Sequence, residues 1–348
     1  MKLLLVSPKT EDGKGGIAVW TDTFLKNSEN ASLDCDLLNT ALQRARKNER
    51  KRNFLDEFKR TRRIFRNLKQ MLKNCAYEVA HVNTSCGTFG MVRDYFIARK
   101  IKRKQPACKI VLQFHCDVKT QSASKLTQIF LKRALKLVDK ILVLNEKNVC
   151  FLRQAYHTES ISVPNFVDEN VIRREQKTIR ETIENALFVG FVQAQKGVWE
   201  LYELAKRFPF ITFSLYGNVR EEFQTALHPA NVVLCGPKSR EEVLAALDET
   251  DVFVFPTHSE GFSVALLECM ARGVPSVTTD VGANLEMLEN KGGIVVPIKD
   301  VDALEQAMKN IADASLRREM SEWSIQKTKN TYTAEAVLNR IKAIYSTY

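Results

Sequence analysis

Short apolar runs alternate with longer stretches of helical periodicity along nearly the whole chain. In the first half the runs are Lys2–Val6, Val79–Asn83, Lys109–Phe114 and Ile141–Leu144. Their mostly unbroken hydrophobicity predicts strands buried on both faces, as in a parallel sheet covered by helices. Ile161–Asp168 closes this half, and the charged stretch Glu169–Glu184 reads as a linker. The second half repeats the pattern with Ala186–Gly190, Ile211–Tyr216, Val232–Leu234, Val252–Phe255, Ser276–Thr278 and Ile294–Val296. A last helix carries an apolar stripe of Val337, Leu338, Ile341, Ile344 and Tyr345. Alternating strands and helices predict an α/β fold of two Rossmann-like domains facing across a cleft. The expected boundaries are 1–168, a linker 169–184, 185–330, and a C-terminal helix 331–348 that packs back on the first domain.

Composition narrows this little. The chain has 348 residues, enough for two full cores, and 45% of them are hydrophobic. No apolar run reaches the length of a membrane span. The opening Met1–Pro8 has too short an apolar core for a signal peptide and reads as a first strand, so a cytoplasmic location is expected. Eight cysteines without CxxC spacing predict reduced, mostly buried thiols, and neither a disulfide framework nor a zinc site.

Charge adds one feature. The net charge is +11, and thirteen Lys and Arg residues lie between Arg44 and Lys73, opposed by Glu49, Asp56 and Glu57. Phe54, Phe58, Phe65, Leu68 and Leu72 recur there at helical spacing, which predicts a basic amphipathic helix. It is either a solvated face packed on its own domain or a contact for an anionic membrane surface, worth ~1 kcal/mol per basic residue. No nucleic-acid motif accompanies the charge, so nucleic acid is not an expected partner.

The densest chemistry is in Thr257–Glu268. The strand Val252–Phe255 ends at Pro256, and the Ala-, Leu- and Met-rich stretch from Ser263 to Arg272 predicts a helix stopped by Gly273. Glu260 then lies on the loop at a strand's C-terminal end, and Glu268 about two turns into the helix. Open α/β sheets bind ligands at that end, where a helix N-terminus also attracts anions.

Glu260-Gly261-Phe262 through Glu268, followed by Cys269-Met270-Ala271-Arg272-Gly273-Val274-Pro275, resembles the paired-glutamate signature of the family-4 retaining glycosyltransferases. The resemblance is strongest from Ala186 to Pro297. It implies the GT-B fold and a nucleotide-diphosphate sugar as substrate, with no cofactor and no metal. It also implies that Glu260 contacts the donor sugar and Glu268 the ribose, with Gly261, Phe262 and Ser263 beside the diphosphate. Val281–Glu286 resembles the small-residue loop close to the donor.

Gly190-Phe191-Val192-Gln193-Ala194-Gln195-Lys196-Gly197 is similar to the family's G-R-L-x-x-x-K-G, which implies that Gly190 lines the donor site and Lys196 meets the leaving diphosphate. Phe191 stands where the family has arginine, and Lys9, Lys14 or Arg220 are the candidate substitutes. Gly13-Lys14-Gly15-Gly16 resembles the N-terminal glycine loop, so Gly15 and Gly16 join the donor-binding residues. Gln113–Asp117 ends a strand and resembles the family's active-site histidine position, which implies that His115 contacts the donor sugar near the reacting carbon. His81 reads as structural or acceptor-side, and Asp34-Cys35-Asp36 spells a metal-binding DxD far from the other motifs. The resemblance implies transfer to an acceptor such as a glycan, and the basic helix suggests a lipid-diphosphate-linked or membrane-proximal one, as in bacterial surface polysaccharide assembly. A degenerate GT-B scaffold, suggested by Phe191, and a nucleotide-sugar epimerase remain as alternatives.

Overall fold

The computed structural model describes residues 1–10, 15–41, 54–85 and 87–347. Gly13, Lys14 and the basic residues from Arg44 to Arg52 lie outside them. The described chain divides into two units, Met1–Asn165 with Ala334–Tyr348, and Phe166–Thr333.

The first unit runs β1 (Lys2–Ser7), α1 (Gly16–Ser28), β2 (Asp34–Asn39), α2 (Phe54–Asn74), β3 (Val79–Thr84) and α3 (Thr88–Lys104). It continues with β4 (Lys109–Phe114), α4 (Val118–Gln121), α5 (Lys125–Leu135), β5 (Lys140–Val143), α6 (Glu146–Tyr156) and β6 (Ile161–Ser162). The strands form one parallel sheet in the order β2-β1-β3-β4-β5-β6. Leu3, Leu4, Leu5 and Val6 are fully buried, which is why β1 has no polar alternation. The edge strand β2 is the element the hydrophobic pattern missed. Its Asp34-Cys35-Asp36 opening is polar because an edge strand faces water along one side.

The second unit runs β7 (Asn185–Val189), α7 (Val198–Arg207), β8 (Thr212–Tyr216), α8 (Glu221–Gln224), β9 (Val232–Gly236), α9 (Arg240–Glu249) and β10 (Val252–Phe255). Then come α10 (Val264–Ala271), β11 (Ser276–Thr279), α11 (Asn284–Leu288), β12 (Gly293–Val296), α12 (Val301–Asn310) and α13 (Ala314–Thr331). Its parallel sheet has the order β12-β11-β10-β7-β8-β9. Counted from β7, that is the doubly wound nucleotide-binding order, whose direction of progression reverses between β7 and β10.

Residues 169–184, expected as a linker, are tied into the second unit. Arg173 and Arg180 pair with Asp248 and Asp251, and the buried Lys177 donates to the Leu247 and Asp248 carbonyls. Helix α14 (Ala334–Tyr345) belongs to the first unit and packs on α1, burying the expected stripe Val337, Leu338, Ile341, Ile344 and Tyr345. The seven described cysteines are all free. Only Cys108, Cys116 and Cys269 are buried, while Cys150 is exposed, so the expectation of mostly buried thiols is corrected.

Candidate functional site

Three of the motifs meet at the C-terminal ends of β7, β10 and β11. After β7 the chain makes a short 3-10 turn, Ala194–Lys196, and enters α7 through Gly197 at φ 73°. A Cβ on Gly197 would stand 1.9 Å from the Pro256 carbonyl oxygen, so only glycine lets this turn lie against the loop after β10. The His258 amide donates to the Gln195 carbonyl at 3.0 Å and joins the same two loops. Gly282, after β11, is held as closely. At φ 51° its Cβ would lie 2.4 Å from the Glu260 carbonyl oxygen, and the Ala283 amide donates to the Gly261 carbonyl. Asn284 is buried, and its amide donates to Thr278 Oγ1 and the Thr279 carbonyl, which anchors the 281–286 loop to β11.

These contacts place Lys196 Nζ 2.5 Å from Glu260 Oε1. Both side chains are largely buried, and the Thr257 hydroxyl donates to the same carboxylate oxygen at 3.3 Å. Lys196 Nζ also stands 5.7 Å from the centre of the Phe255 ring, an apolar wall that strengthens the pair by excluding water. Thr257 was not singled out from sequence, though its place on the strand-end loop is a signal in hindsight.

Ser263 caps α10, its hydroxyl accepting from the Leu266 amide at 3.2 Å. Glu268 is the fifth residue of α10, little more than one turn in, because the helix begins after the Ser263 cap. It is buried, and burial raises its pKa. The opposing influence is Arg240, whose Nε donates to Glu268 Oε1 at 2.7 Å. Sequence reasoning missed Arg240, the first residue of α9, which lies within the Ser239–Glu242 capping box. A cation opening a helix next to a strand end was the signal available. Phe262 is buried with its ring edge-on to Tyr332 at 5.6 Å, so it shapes the loop through packing.

Phe191 is 42% exposed, and the Arg220 guanidinium lies over its ring at 5.2 Å. The Arg220 amide donates to the Val192 carbonyl, and Arg220 Nε approaches Gln193 Oε1 at 3.4 Å. Of the candidate substitute cations, Arg220 is attached to Phe191, and Lys14 lies outside the described residues. Gly190, just before it, has its amide on the Tyr216 carbonyl and lies against Gly217, whose Cβ would clash with the Gly190 oxygen.

In the first unit the strand order reverses between β1 and β3. Gly15 is the N-cap of α1 and Gly16 its first residue, so both follow β1 at that point. His115 follows β4, with Nε2 3.0 Å from Asn83 Oδ1 and Trp20 of α1 edge-on to its ring at 5.2 Å. Burial and then His81 lower the His115 pKa from 6.5 to about 3, so its imidazole is neutral at pH 7. His81 is fully buried and bonds through Nδ1 to the Tyr345 hydroxyl of α14. Asp34 and Asp36 both pair with Lys2, and Tyr77 donates to Asp36. Among the described residues no group of His, Cys, Asp or Glu is arranged to hold a metal ion. None of the described helices is long and apolar enough to cross a membrane.

The family model described as Glycosyl transferases group 1 matches residues 183–314, part of the unit that holds the Lys196–Glu260 pair. A capsular polysaccharide biosynthesis glycosyltransferase, CapM of Staphylococcus aureus, is 31% identical over 177 residues, 46% of this chain and 45% of the relative. A second relative is the UDP-Gal:alpha-D-GlcNAc-diphosphoundecaprenol alpha-1,3-galactosyltransferase of Escherichia coli. It is 25% identical over 133 residues, 38% of this chain and 34% of that protein. These alignments span about half or less of the relatives' own lengths.

Solved structures match over the whole chain. Sucrose-phosphate synthase from Thermosynechococcus elongatus has a TM-score of 0.79 at 17% identity, covering 99% of this chain and 98% of its own. Anabaena HepE in complex with UDP-glucose has a TM-score of 0.75 at 13% identity, covering all of both chains. The chain therefore has the α/β two-domain GT-B fold.

Proposed function

We propose that this chain is a retaining, metal-independent glycosyltransferase. It moves a sugar from a nucleotide-diphosphate donor to a glycan or lipid-linked acceptor, in the assembly of a bacterial surface polysaccharide on the cytoplasmic side. The observation that carries this reading is the Lys196–Glu260 pair at the point where the second sheet reverses direction. The names of relatives support the reaction class, one making capsular polysaccharide and one transferring galactose from UDP-Gal to a diphosphoundecaprenol-linked sugar.

The chemistry follows from charge. Breaking the bond between the sugar's anomeric carbon and the diphosphate leaves negative charge on a phosphate oxygen. Lys196 stabilises that charge, and the N-terminal end of α10 at Gly261–Ser263 adds its dipole. The acceptor hydroxyl forms the new bond on the face the diphosphate leaves, and its proton passes to the departing oxygen. The products are the glycosylated acceptor and the nucleoside diphosphate. Glu260 binds sugar hydroxyls, and Glu268, oriented by Arg240, accepts from the ribose. His115, neutral at pH 7, contributes hydrogen bonds without a competing charge. Holding both reactants in register supplies much of the rate.

A thermal-shift series with UDP, GDP, ADP and their sugar derivatives tests the donor site. A nucleotide at ~100 times its Kd adds ~2.7 kcal/mol of stability. Stabilisation by one base, lost in Glu268→Ala, is the expected result. Silence from all of them would instead leave a scaffold, and sugar conversion without any acceptor would mean epimerisation.

A further inference from the structure

Helices α2, α3 and α5 together carry sixteen Lys and Arg residues against three Asp and Glu, a surplus larger than the +11 of the whole chain. They also enclose a groove of about 810 Å³. Phe58 and Phe65 of α2, Phe89 and Phe96 of α3, and Leu126 of α5 line it. Phe58, Phe89 and Leu126 are half exposed or more, at 60%, 58% and 50%. Ile129, on the same helix as Leu126, is 47% exposed. Large apolar side chains gathered in this way are costly to leave in water.

A collar of cations completes the groove. Arg99, Lys100, Arg103 and Lys104 line its α3 side. Lys100 Nζ sits 5.2 Å from the Phe65 ring centre and donates to the Phe65 carbonyl. Burial, then repulsion from Lys69 and Lys104, lowers the Lys100 pKa, so its neighbours are other cations. Glu57, the acidic residue on the groove, is engaged by Arg60. Apolar side chains at the centre with arginine and lysine around them match an anionic lipid leaflet, whose acyl chains lie beneath a layer of phosphates. Aliphatic Leu126 and Ile129 offer nothing to nucleobase stacking, which favours lipid over single-stranded nucleic acid.

We propose that the α2–α3–α5 face is a membrane-docking surface, with Phe58, Phe89 and Phe96 inserted among acyl chains and the α3 cations on the phosphates of an anionic leaflet. It stands on this face alone and holds whether or not the chain transfers sugar.

Flotation of the full chain with phosphatidylglycerol vesicles and with phosphatidylcholine vesicles, at low salt, tests it. Binding to the anionic vesicles, weakened by salt, is expected, with little to the zwitterionic ones. Each basic residue near such a surface contributes about fivefold in partition, so Arg99→Glu with Arg103→Glu should weaken binding by about 25-fold or more. Phe89→Ser should weaken it without changing its salt dependence. Phe89→Trp, a conservative change, keeps the question answerable if a charge variant misfolds. Its added fluorescence should be quenched by lipids brominated along the acyl chain. Failure to float with anionic vesicles, undiminished flotation of both the charge variant and Phe89→Ser, or an unquenched Phe89→Trp would overturn the proposal. So would binding to an oligothymidine in place of vesicles.

Discussion

Glu260 Oε1 accepts hydrogen bonds from both Lys196 Nζ and the Thr257 hydroxyl, at 2.5 and 3.3 Å. The residue proposed to meet the sugar and the residue proposed to meet the diphosphate are thus paired to each other. In the proposed mechanism a bound donor would take Lys196 onto its phosphates and leave Glu260 to the sugar hydroxyls. Lys196→Ala should therefore lower the transfer rate by ~10²–10³, as the loss of one preorganised electrostatic group commonly does. Single-turnover transfer measures it, and an unchanged rate would remove Lys196 from the mechanism.

Arg240 is the charge partner that opposes the upward shift burial gives the Glu268 pKa. Arg240→Ala should cost about 1–3 kcal/mol at pH 7, the usual penalty for a buried polar group left without its partner. Burial already raises the Glu268 pKa, and without Arg240 it rises further. A folded state that binds the extra proton gains stability as pH falls. The variant should thus recover part of its loss on acidification towards pH 5, in melting curves taken side by side with the parent chain.

Arg220 over Phe191 offers a guanidinium where the resembling family has arginine in the position of Phe191. In Arg220→Ala, affinity for a nucleoside diphosphate should fall about tenfold while affinity for the monophosphate changes little. Calorimetric titration separates the two. Equal losses for both ligands would confine Arg220 to a packing role.

Acid should destabilise the first unit through His81. Burial lowers its pKa from 6.5 to about 4, and in the unfolded chain it returns to the ordinary value. Its contribution is fully present above pH 6.5 and is lost as pH falls towards 4, because the unfolded state then binds the proton first. The loss reaches roughly 3 kcal/mol at pH 4. His81→Gln should flatten that part of the melting temperature against pH.

Gly282→Ala probes the close approach of the loops after β10 and β11. An added Cβ meets the Glu260 and Gly261 carbonyl oxygens at 2.4 and 2.6 Å, and φ is positive. We expect a loss of about 2 kcal/mol or more, with transfer falling further than stability because Glu260 is displaced. Denaturant unfolding alongside activity gives both numbers.

The buried strands were legible from the sequence because parallel strands covered on both faces read as unbroken apolar runs. Val252–Phe255 and Lys109–Phe114 have the same ends in sequence and structure. Strand β2 was not legible, since at the sheet edge half of its residues are polar. The order of Gly190 to Gly197 and of Glu260 to Glu268 pointed to one donor site. Arg240 escaped notice because its importance lies in a partner 28 positions away on another helix.

Local pattern by itself determined the two α/β halves, the strand-end loops and the basic, aromatic helix, since periodicity, turn residues and charge are written along the chain. Tertiary structure alone decided that Lys196 meets Glu260, that Arg240 meets Glu268 and that Arg220 covers Phe191. It also decided that residues 169–184 are anchored rather than free, and that Phe58 and Phe89 share one groove. Each of these depends on which strands lie side by side and how closely their loops approach. That is set by the packing of a whole sheet, and no single segment encodes it.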